Sequence, residues 1–329
     1  MILFENDSKN AAFRFAAEEY IMRELRPDEP ALMLWSTDDT VMVGANQVIE
    51  KECDLSYMES AGIEVVRRSS GGGTIFTDRG TLQITVILPY EGSFDTKAAA
   101  REWIADPVIS ALESCGVSAS FEGRNDIKID GEKISGIAQY VQGGYILSHC
   151  SLLYRTDLGK LARCLAADES KFSTKAVASV RMPVANISEY INEEDTEKFF
   201  TALSDEYSRK GEMQSRGFTR DELAGIETLI WEKYLNPEWL FGREPAFTFT
   251  NAKRFPGGRI EVFLDVRNGV IRDAGITGDF LSLIPASELA EKLINVQHRA
   301  DALAEALETI DAGAYLGSLG NAELLEVLL

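Results

Sequence analysis

Histidine is scarce in this chain: 2 of its 329 residues are histidines, His149 and His298. A site that holds a metal ion through several histidines is therefore excluded. Basic residues are also in deficit, because 33 lysines and arginines face 53 aspartates and glutamates, which gives a net charge of −20. This charge disfavours nucleic acid and anionic membranes as partners, since both are polyanions. Small anions can still bind to a local basic patch.

Three common nucleotide and nucleophile motifs are missing. No GxxxxGK[ST] occurs, so the phosphate loop of the common NTPases is absent, and no GxGxxG follows a predicted strand. No GxSxG nucleophile elbow is present either. The 4 cysteines show no CxxC spacing, and the amino terminus lacks a signal-peptide pattern. We therefore expect reduced thiols in a cytoplasmic protein.

The longest uncharged run covers 21 residues, from Ile134 to Tyr154. It is long enough to raise the question of a membrane span, but its serines, glutamines and histidine would make burial in lipid costly. We predict buried β-sheet here. Another strand is predicted where Leu82, Ile84 and Val86 alternate with polar residues, in the pattern of a half-buried strand.

The length favours two domains over a single hydrophobic core. Proline, glycine and aromatic residues interrupt the periodic pattern between residues 236 and 245, which suggests a boundary there. We predict a larger catalytic domain over residues 1–242 and a smaller α+β domain over residues 243–329.

Three local features carry further expectations. A helix over Lys97–Cys115 is expected to break near Pro107. Asn268-Gly269 predicts a two-residue hairpin turn, which would place Asp265 opposite Arg272. Apolar residues at helical spacing between Leu289 and Ile310 predict one long amphipathic helix.

A glycine cluster directly follows two arginines in the run Arg67-Arg68-Ser69-Ser70-Gly71-Gly72-Gly73. Glycines that leave a strand let main-chain N–H groups approach a ligand closely, because no Cβ intervenes. Arginines can donate paired hydrogen bonds to phosphate or carboxylate. This run predicts an anion site, and a flexible glycine turn with surface arginines is the alternative.

A second cluster surrounds Asp130-Gly131, a strong signal for a two-residue hairpin turn. Such a turn places Lys128 opposite Lys133, and like charges that face each other destabilise a sheet. An anionic ligand near the pair would relieve the repulsion; Asp130, Glu132 or solvent could screen it instead. Asp126 could hold a magnesium ion, which proteins often bind through one or two carboxylates plus substrate phosphates, or it could be an ordinary surface residue at a strand entry.

Taken together, the two clusters fit the activation of a carboxylate by ATP. That reaction must hold two anionic reactants together while negative charge builds on the α-phosphate. Arginines and N–H groups suit one anion, and a lysine suits the reacting centre. The residues by themselves indicate this class of reaction and no particular substrate.

Several further segments resemble a known family: Ala17-Glu18-Glu19-Tyr20, Val43-Gly44-Ala45-Asn46-Gln47, Gly123-Arg124-Asn125-Asp126-Ile127, Gly131-Glu132-Lys133-Ile134-Ser135-Gly136-Ile137-Ala138-Gln139, Ser179-Val180-Arg181 and Gly278-Asp279-Phe280. In this order, and with the Arg67–Gly73 run, they resemble lipoate–protein ligases of the bacterial two-domain type, in the biotin/lipoate ligase superfamily. The resemblance implies an α/β (α+β) fold, with a mixed-sheet catalytic domain and a small α+β C-terminal accessory domain.

The resemblance also implies a ligase reaction in two steps. Lipoate and ATP give lipoyl-adenylate and pyrophosphate, with Mg²⁺ as the cofactor. The lipoyl group then passes to a lysine of an apo lipoyl domain, in an E2 subunit of a 2-oxoacid dehydrogenase or in the H protein of glycine cleavage. Octanoate could replace lipoate, and the enzyme is expected to be a monomer without nucleic-acid or membrane partners.

Roles for individual residues follow from the same resemblance. Lys133 is the implied catalytic residue, in contact with the lipoate carboxyl and the α-phosphate. ATP is expected to contact Arg68, Gly73, Thr74, Ile75, Phe76 and Lys133. Lipoate is expected to contact Ser70, Gly71, Gly72, Lys133, Ser135, Gly136 and His149. Asp126 is the implied metal ligand.

Cys150 carries the alternative function. Related cysteine-dependent octanoyl and lipoyl transferases share this fold and carry the acyl group on a thiol, without ATP. Neighbours along a strand point to opposite faces, so His149 should not contact Cys150 directly, and a small buried cysteine is the commoner interpretation. A lipoate- or biotin-binding regulator would need a DNA-binding segment, and we expect none before Ala11.

Overall fold

The computed structural model describes residues 1–47, 49–123, 125–165, 183–192, 195–241, 248–267 and 269–329. Its strands are β1 (Ile2–Phe4), β2 (Ala31–Trp35), β3 (Thr40–Val43), β4 (Glu64–Arg67), β5 (Ile75–Thr77), β6 (Thr81–Pro89), β7 (Ser120–Glu122), β8 (Asp126–Ile129), β9 (Glu132–Gln142), β10 (Tyr145–Leu153), β11 (Gln214–Arg216), β12 (Phe249–Phe255), β13 (Gly258–Arg267) and β14 (Val270–Gly278).

The α-helices are α1 (Ala11–Tyr20), α2 (Ile49–Glu52), α3 (Leu55–Ala61), α4 (Phe94–Ser114), α5 (Leu158–Cys164), α6 (Asp195–Lys210), α7 (Arg220–Leu229), α8 (Pro237–Phe241), α9 (Ala286–Leu293), α10 (Ala300–Glu308), α11 (Ala312–Leu316) and α12 (Asn321–Leu328). One π-helical turn, Ile21–Leu25, extends α1, and a second, Ile230–Tyr234, extends α7. Within the described ranges, no helix is both long and apolar enough to cross a bilayer.

A mixed sheet lies at the centre of the larger part of the chain, with the strand order β11-β1-β2-β6-β10-β9-β8-β7. Strand β1 runs parallel to both of its neighbours, and β2, β6, β10, β9 and β8 pair antiparallel. The long uncharged run forms β9 and β10, as predicted. All side chains of β10 are buried. This part of the fold confirms the expected mixed-sheet α/β architecture.

Residues of β6 alternate between the two covered faces of this sheet. Ile84 and Val86 pack in a core with α4 and α6. Thr81, Gln83 and Thr85 point to the other face, where Thr85 contacts Glu18 of α1, and all three are buried. The predicted alternation is therefore correct, but the polar face is covered by protein. Most of its polar groups hydrogen-bond within the molecule, which makes their burial tolerable, and the Gln83 amide nitrogen is the exception among the described residues.

Helix α4 continues through Pro107, so the expected break is wrong. A proline inside a helix costs about 3 kcal/mol, because it removes one hydrogen bond and crowds the preceding turn. On either side of it, Ile104, Val108 and Leu112 are fully buried in the core against the sheet. Burial of one such side chain contributes about 1.5–3 kcal/mol. Tertiary packing therefore outweighs the local penalty.

A second, three-stranded sheet carries the glycine cluster. Its order is β4-β3-β5, with β4 parallel and β5 antiparallel to β3. Residues 68–74 form the loop between β4 and β5, which we call the glycine loop. Behind this sheet, Val41, Val43 and Phe76 form a small core.

The C-terminal part contains a meander of β12, β13 and β14 against which α9 to α12 pack. The single long helix predicted here is wrong, because residues 294–299 leave the helical path between α9 and α10. Asn295 takes a left-handed φ of 71°, and the chain hydrogen-bonds to Ile271 of β14 instead. The expected small α+β unit is present. The boundary between residues 242 and 243 lies outside the described residues and stays a prediction.

The hairpin of β13 and β14 is only partly as predicted. Arg267 opposes Val270, as a two-residue turn requires, although Asn268 lies outside the described residues. A register shift beside Val266 then places Asp265 opposite Asp273, so the expected pair with Arg272 is wrong. The Asp265 carboxylate instead lies 2.8 Å from Nη2 of Arg267 on its own strand.

Candidate active site

The Arg68 side chain is buried inside the glycine loop. Its guanidinium donates hydrogen bonds to the carbonyl oxygens of Met42 (2.9 Å), Gly71 (2.8 Å) and Gly73 (2.7 Å), and its Nε donates to Ser70 Oγ (3.1 Å). Burial lowers the pKa of Arg68 to about 10, so it keeps its charge at neutral pH. These four bonds shape the loop, and they leave one N–H of the guanidinium for any ligand.

Arg67 has a similar task on the other side of β4. Its guanidinium donates to the carbonyl oxygens of Gly44 (2.9 Å), Gln47 (2.6 Å) and Leu240 (2.7 Å), so it ties α8 to the β3 end. Both arginines are buried, and the alternative of surface arginines is therefore wrong. Their observed donors bind main-chain carbonyls, which differs from the expected direct pairing with an anion.

The glycines of the loop make room for the C-terminal part of the chain. The Gly72 N–H donates to the Phe280 carbonyl at 3.0 Å. A Cβ on Gly71 would lie 2.8 Å from the same carbonyl oxygen and 2.9 Å from the Ser282 nitrogen. Gly72 also has a φ of +92°, which glycine adopts readily and other residues rarely do. Both glycines thus serve the contact between the two parts of the molecule.

Replacing Gly71 with alanine is expected to weaken this contact. The new methyl group would meet two main-chain atoms that cannot rotate away. Overpacking of this kind costs about 1–3 kcal/mol. Thermal unfolding and the rate of limited proteolysis provide the measurement. Gly211→Ala is the control, because its Cβ would meet open space; equal behaviour of the two variants would contradict the assigned contact.

The second cluster forms the predicted hairpin. Asp130 and Gly131 take left-handed φ values of 50° and 85°, and Lys128 opposes Lys133 across β8 and β9. Each lysine has a carboxylate partner: Glu122 lies 3.0 Å from Lys128, and Asp126 lies 2.8 Å from Lys133. The predicted pairing is confirmed. The charges that screen it come from Glu122 and Asp126, rather than from Asp130 or Glu132, which the sequence offered as an alternative to a bound anion.

A β-bulge decides which face of the sheet Lys133 reaches. Ile127 opposes Ser135 and Lys128 opposes Lys133, so Ile134 is one extra residue in β9. Without it, Lys133 would share the face of Ser135 and Ile137, which is the core against α4. Bulges often re-aim a side chain beside an active site. Here the extra residue turns Lys133 toward the face of α1 and the glycine loop.

Gly136 provides the place where the Lys133 ammonium lies. A Cβ on Gly136 would be 2.8 Å from Lys133 Nζ and 3.0 Å from its Cε. The lysine side chain therefore runs along the strand and ends above a bare α-carbon. Asn125 Nδ2 lies 3.7 Å from the same point.

One cavity of about 150 Å³ brings the two clusters together. The glycine loop and Lys133 both line it, which is the arrangement that carboxylate activation requires. The predicted residues that line it are Arg68, Gly72, Gly73, Thr74, Ile75, Lys133, Gly136 and His149. A larger cavity of about 740 Å³ lies between the glycine loop and β14. Arg67 and Ser69 of the predicted anion-binding run line it, but none of the residues expected to contact ATP, lipoate or the metal does.

The remaining predicted residues lie near this cavity without lining it. Phe76 is 1 % exposed and packs in the core behind the small sheet, so only its main chain could contact a nucleotide. Ser135 is buried on the opposite side of β9. Ser70 contacts His149, Gly71 contacts Phe280, and Asp126 pairs with Lys133. Arg124 and residues 179–181, which carried part of the resemblance, lie outside the described residues.

His149 links the glycine loop to helix α1. Its Nε2 lies 2.6 Å from Ser70 Oγ, and its Nδ1 lies 3.2 Å from Glu18 Oε1. Thr85 donates to the same Glu18 oxygen at 2.5 Å and receives a hydrogen bond from Trp35 Nε1 at 3.0 Å. All of these groups are buried. The network fixes the imidazole at one end of the cavity and orients Ser70.

Cys150 does not suit a nucleophile. Cys150 is among the residues that line the cavity. Its side chain nevertheless packs in the core against α4, on the face opposite His149, as the strand pattern predicts. Burial raises the pKa of the Cys150 thiol to about 12. Because the thiolate is the reactive form, the thiol is inert near neutral pH. These observations disfavour the cysteine-dependent transferase.

Asp126 is the one predicted metal ligand. Among the described residues, no three histidine, cysteine or carboxylate side chains come together in a way that could hold a metal. Mg²⁺ needs fewer protein ligands when substrate phosphates complete its coordination. Asp126 therefore fits a magnesium ion that arrives with a nucleotide, and does not fit a permanent metal centre.

Sequence reasoning missed three residues of this face. Glu18 orients His149, and Gln83 and Ser151 line the cavity between His149 and Lys133. One sequence signal pointed to this face: Thr81, Gln83 and Thr85 alternate with apolar residues on a predicted strand. A half-buried strand was expected to turn these polar residues toward solvent, so they were not considered as site residues.

Comparisons with known proteins agree with this geometry. The family model of the lipoyl protein ligase A/B catalytic domain matches residues 10–208, and that of the bacterial lipoate protein ligase C-terminus matches residues 244–328. Lipoate-protein ligase LplJ of Bacillus subtilis is 33 % identical over 334 aligned positions, which cover 100 % of both chains.

Two solved structures are similar as well. The structure of P. falciparum LipL1 in complex with lipoate has a TM-score of 0.77, with 20 % identity over 94 % of each chain, and so supports the fold. A lipoate-protein ligase A bound with ATP has a TM-score of 0.62 and 26 % identity, covering 73 % of this chain and 98 % of the other. With two family models and a full-length relative in agreement, the chain belongs to the lipoate–protein ligase family.

Proposed function

We propose that this protein joins lipoate to a lysine of an acceptor lipoyl domain in two steps, at the cavity lined by the glycine loop and Lys133. In the first step a lipoate carboxylate oxygen attacks the α-phosphorus of ATP, and pyrophosphate leaves. In the second step the acceptor lysine amine attacks the acyl carbon, and AMP leaves. The observation that supports the proposal is that residues of both predicted anion-binding clusters line one cavity.

Lys133 has the central role in the first step. The carboxylate and the α-phosphate repel each other, and negative charge increases on the phosphate oxygens as the bond forms. An ammonium group fixed between them offsets this charge without changing its protonation state. The pair with Asp126 and the place above Gly136 hold the ammonium before substrates arrive. Such preorganisation lowers the barrier.

The glycine loop is proposed to hold the nucleotide. Gly73, Thr74 and Ile75 line the cavity opposite Lys133 and offer main-chain groups to phosphate and base. Arg68 acts by shaping this loop through its carbonyl contacts, and its charge remains close to the phosphates. Ser70, Gly72 and His149 mark the end proposed for lipoate.

The cavity must enlarge to admit both substrates. Its volume of about 150 Å³ is below the roughly 300–1,000 Å³ of typical ligand pockets. Leu281 of the C-terminal part lines it directly, and a Cβ on Gly72 would lie 3.0 Å from Leu281 Cδ2. We therefore propose that residues 278–282 move away from the glycine loop when substrates bind.

Magnesium is part of the proposal through Asp126. A magnesium ion bound there with the nucleotide phosphates would neutralise charge on the leaving pyrophosphate. The acceptor is proposed to be a lipoyl domain of an E2 subunit or of the H protein. A cytoplasmic location, a monomeric state and the use of octanoate stay predictions from the sequence.

The decisive test is an omission assay. An apo lipoyl domain incubated with the enzyme, lipoate, ATP and Mg²⁺ is expected to gain the mass of one lipoyl group, as read by intact-protein mass spectrometry. Omission of lipoate, ATP or enzyme should each abolish the gain. Acyl transfer from octanoyl carrier protein without ATP, lost in Cys150→Ser, would overturn the ligase assignment in favour of the transferase.

A further inference from the structure

Gln83 presents an unused hydrogen-bond donor to the active-site cavity. The residue is 3 % exposed and lines the cavity from β6. Its Oε1 accepts a hydrogen bond from Ser151 Oγ at 2.7 Å. Its Nε2 is buried and has no hydrogen-bond partner among the described residues. Buried amides normally find a partner, so an unpaired one at a cavity wall indicates a ligand atom.

The register of the sheet places this amide in one row with Lys133. Gln83 of β6 opposes Ser151 of β10, and Ser151 opposes Gly136 of β9. The Lys133 ammonium lies above Gly136 on the same face. Neighbouring strands are about 4.8 Å apart, so the amide and the ammonium approach from the two ends of a row roughly 10 Å long. A substrate oxygen that enters the cavity between them would face both side chains.

We propose that Gln83 is a further substrate-binding residue, whose Nε2–H donates to an anionic oxygen that Lys133 also contacts. This rests on the proposed function, which supplies two anions at this place, the carboxylate and the α-phosphate. The amide adds a directional donor to the point charge of the ammonium. Ser151 is a positioning residue, because it turns the donor end of the amide into the cavity.

The test uses ATP–pyrophosphate exchange dependent on lipoate, with the full-length enzyme. Gln83→Leu removes the donor in a side chain of similar size and is expected to lower kcat/KM for lipoate by about 10²-fold, the effect of losing one preorganised donor. Gln83→Glu keeps the acceptor for Ser151 but replaces the donor by a negative charge, and is expected to be at least as slow. If the Gln83→Leu variant does not fold, the rate of Gln83→Glu tests the proposal.

The kinetic constants show whether the oxygen that Gln83 contacts belongs to the lipoate carboxylate or to the α-phosphate of ATP. A rise in KM for lipoate alone assigns the contact to the carboxylate of the bound substrate. A fall in kcat with both KM values unchanged assigns it to the phosphate oxygen that gains charge during attack.

Gln139 is the matched control. It is also a buried glutamine bonded to a serine of β10, with 2.7 Å between its Nε2 and Ser148 Oγ, but it faces α4 and its second N–H donates to the Lys97 carbonyl. Gln139→Leu is expected to lower the melting temperature and to leave kcat unchanged.

Two results would overturn the role of Gln83: both Gln83 variants keep kcat and the KM for lipoate within about 3-fold of the unaltered enzyme, or Gln139→Leu changes these constants as much as Gln83→Leu does. Absence of lipoate-dependent exchange in the unaltered enzyme would instead overturn the proposed function itself. The two failures are therefore distinguishable.

Discussion

Lys133→Ala is expected to slow lipoyl-adenylate formation by about 10²–10³-fold, the cost of removing one preorganised charge from a transition state. Lys133 lines the cavity together with the glycine loop. No other described lysine lines the cavity and could take its place. Pyrophosphate exchange measures the effect directly, because it reports the first step alone.

Lys128→Ala is the matched control for this experiment. Lys128 faces Lys133 across the same hairpin, but it pairs with Glu122 and does not line the cavity. Its loss should leave the exchange rate near that of the unaltered enzyme. A Lys133→Ala enzyme with a near-normal rate would show that the reacting centre lies elsewhere. A Lys128→Ala enzyme that is equally slow would show that the charge of the hairpin matters, rather than the position of one ammonium.

Local signals predicted the parts of the fold that depend on neighbours in sequence. The Asp130-Gly131 turn and the pairing of Lys128 with Lys133 follow from a two-residue hairpin alone. Buried strands in the uncharged run follow from composition and length. In each case one short segment of sequence is enough to predict the local structure.

Features that depend on distant partners could not be predicted. The bulge at Ile134 is a mismatch between β8 and β9, so it exists only once both strands pair. Helix α4 passes through Pro107 because a sheet and α6 cover it, and neither is visible in its own sequence. The donors of Arg67 and Arg68 meet carbonyls from two other segments, the end of β3 and α8. An arginine beside glycines therefore indicates a loop that needs support as readily as an anion.

Motif order, rather than any one motif, carried the function. Residue chemistry led to ATP-dependent activation of a carboxylate, and the resemblance supplied lipoate as the substrate. The structure then separated residues that line the cavity, such as Thr74 and His149, from those that support it, such as Ser70. Supporting and contacting residues share one segment of sequence, so their division required the side-chain directions.

Gly136→Ala is expected to reduce adenylate formation by about 10²-fold while leaving the fold intact. The added methyl group would take the space 2.8 Å from Lys133 Nζ, so the flexible end of that lysine must move. A displacement near 1 Å at a reacting centre can cost this much. The main chain at Gly136 is not in the left-handed region, so alanine fits the strand and should not lower the melting temperature.

A double-mutant cycle shows whether this glycine acts through the lysine. In the Lys133→Ala background the space above residue 136 is free, so adding Gly136→Ala should change the exchange rate by less than about 3-fold, against about 10²-fold in the unaltered enzyme. Equal losses in both backgrounds would mean that Gly136 contacts substrate by itself. A strand that must carry a lysine along its own surface needs a residue without a side chain where the ammonium ends. Gly136 is then required for adenylate formation because it leaves space for the Lys133 ammonium.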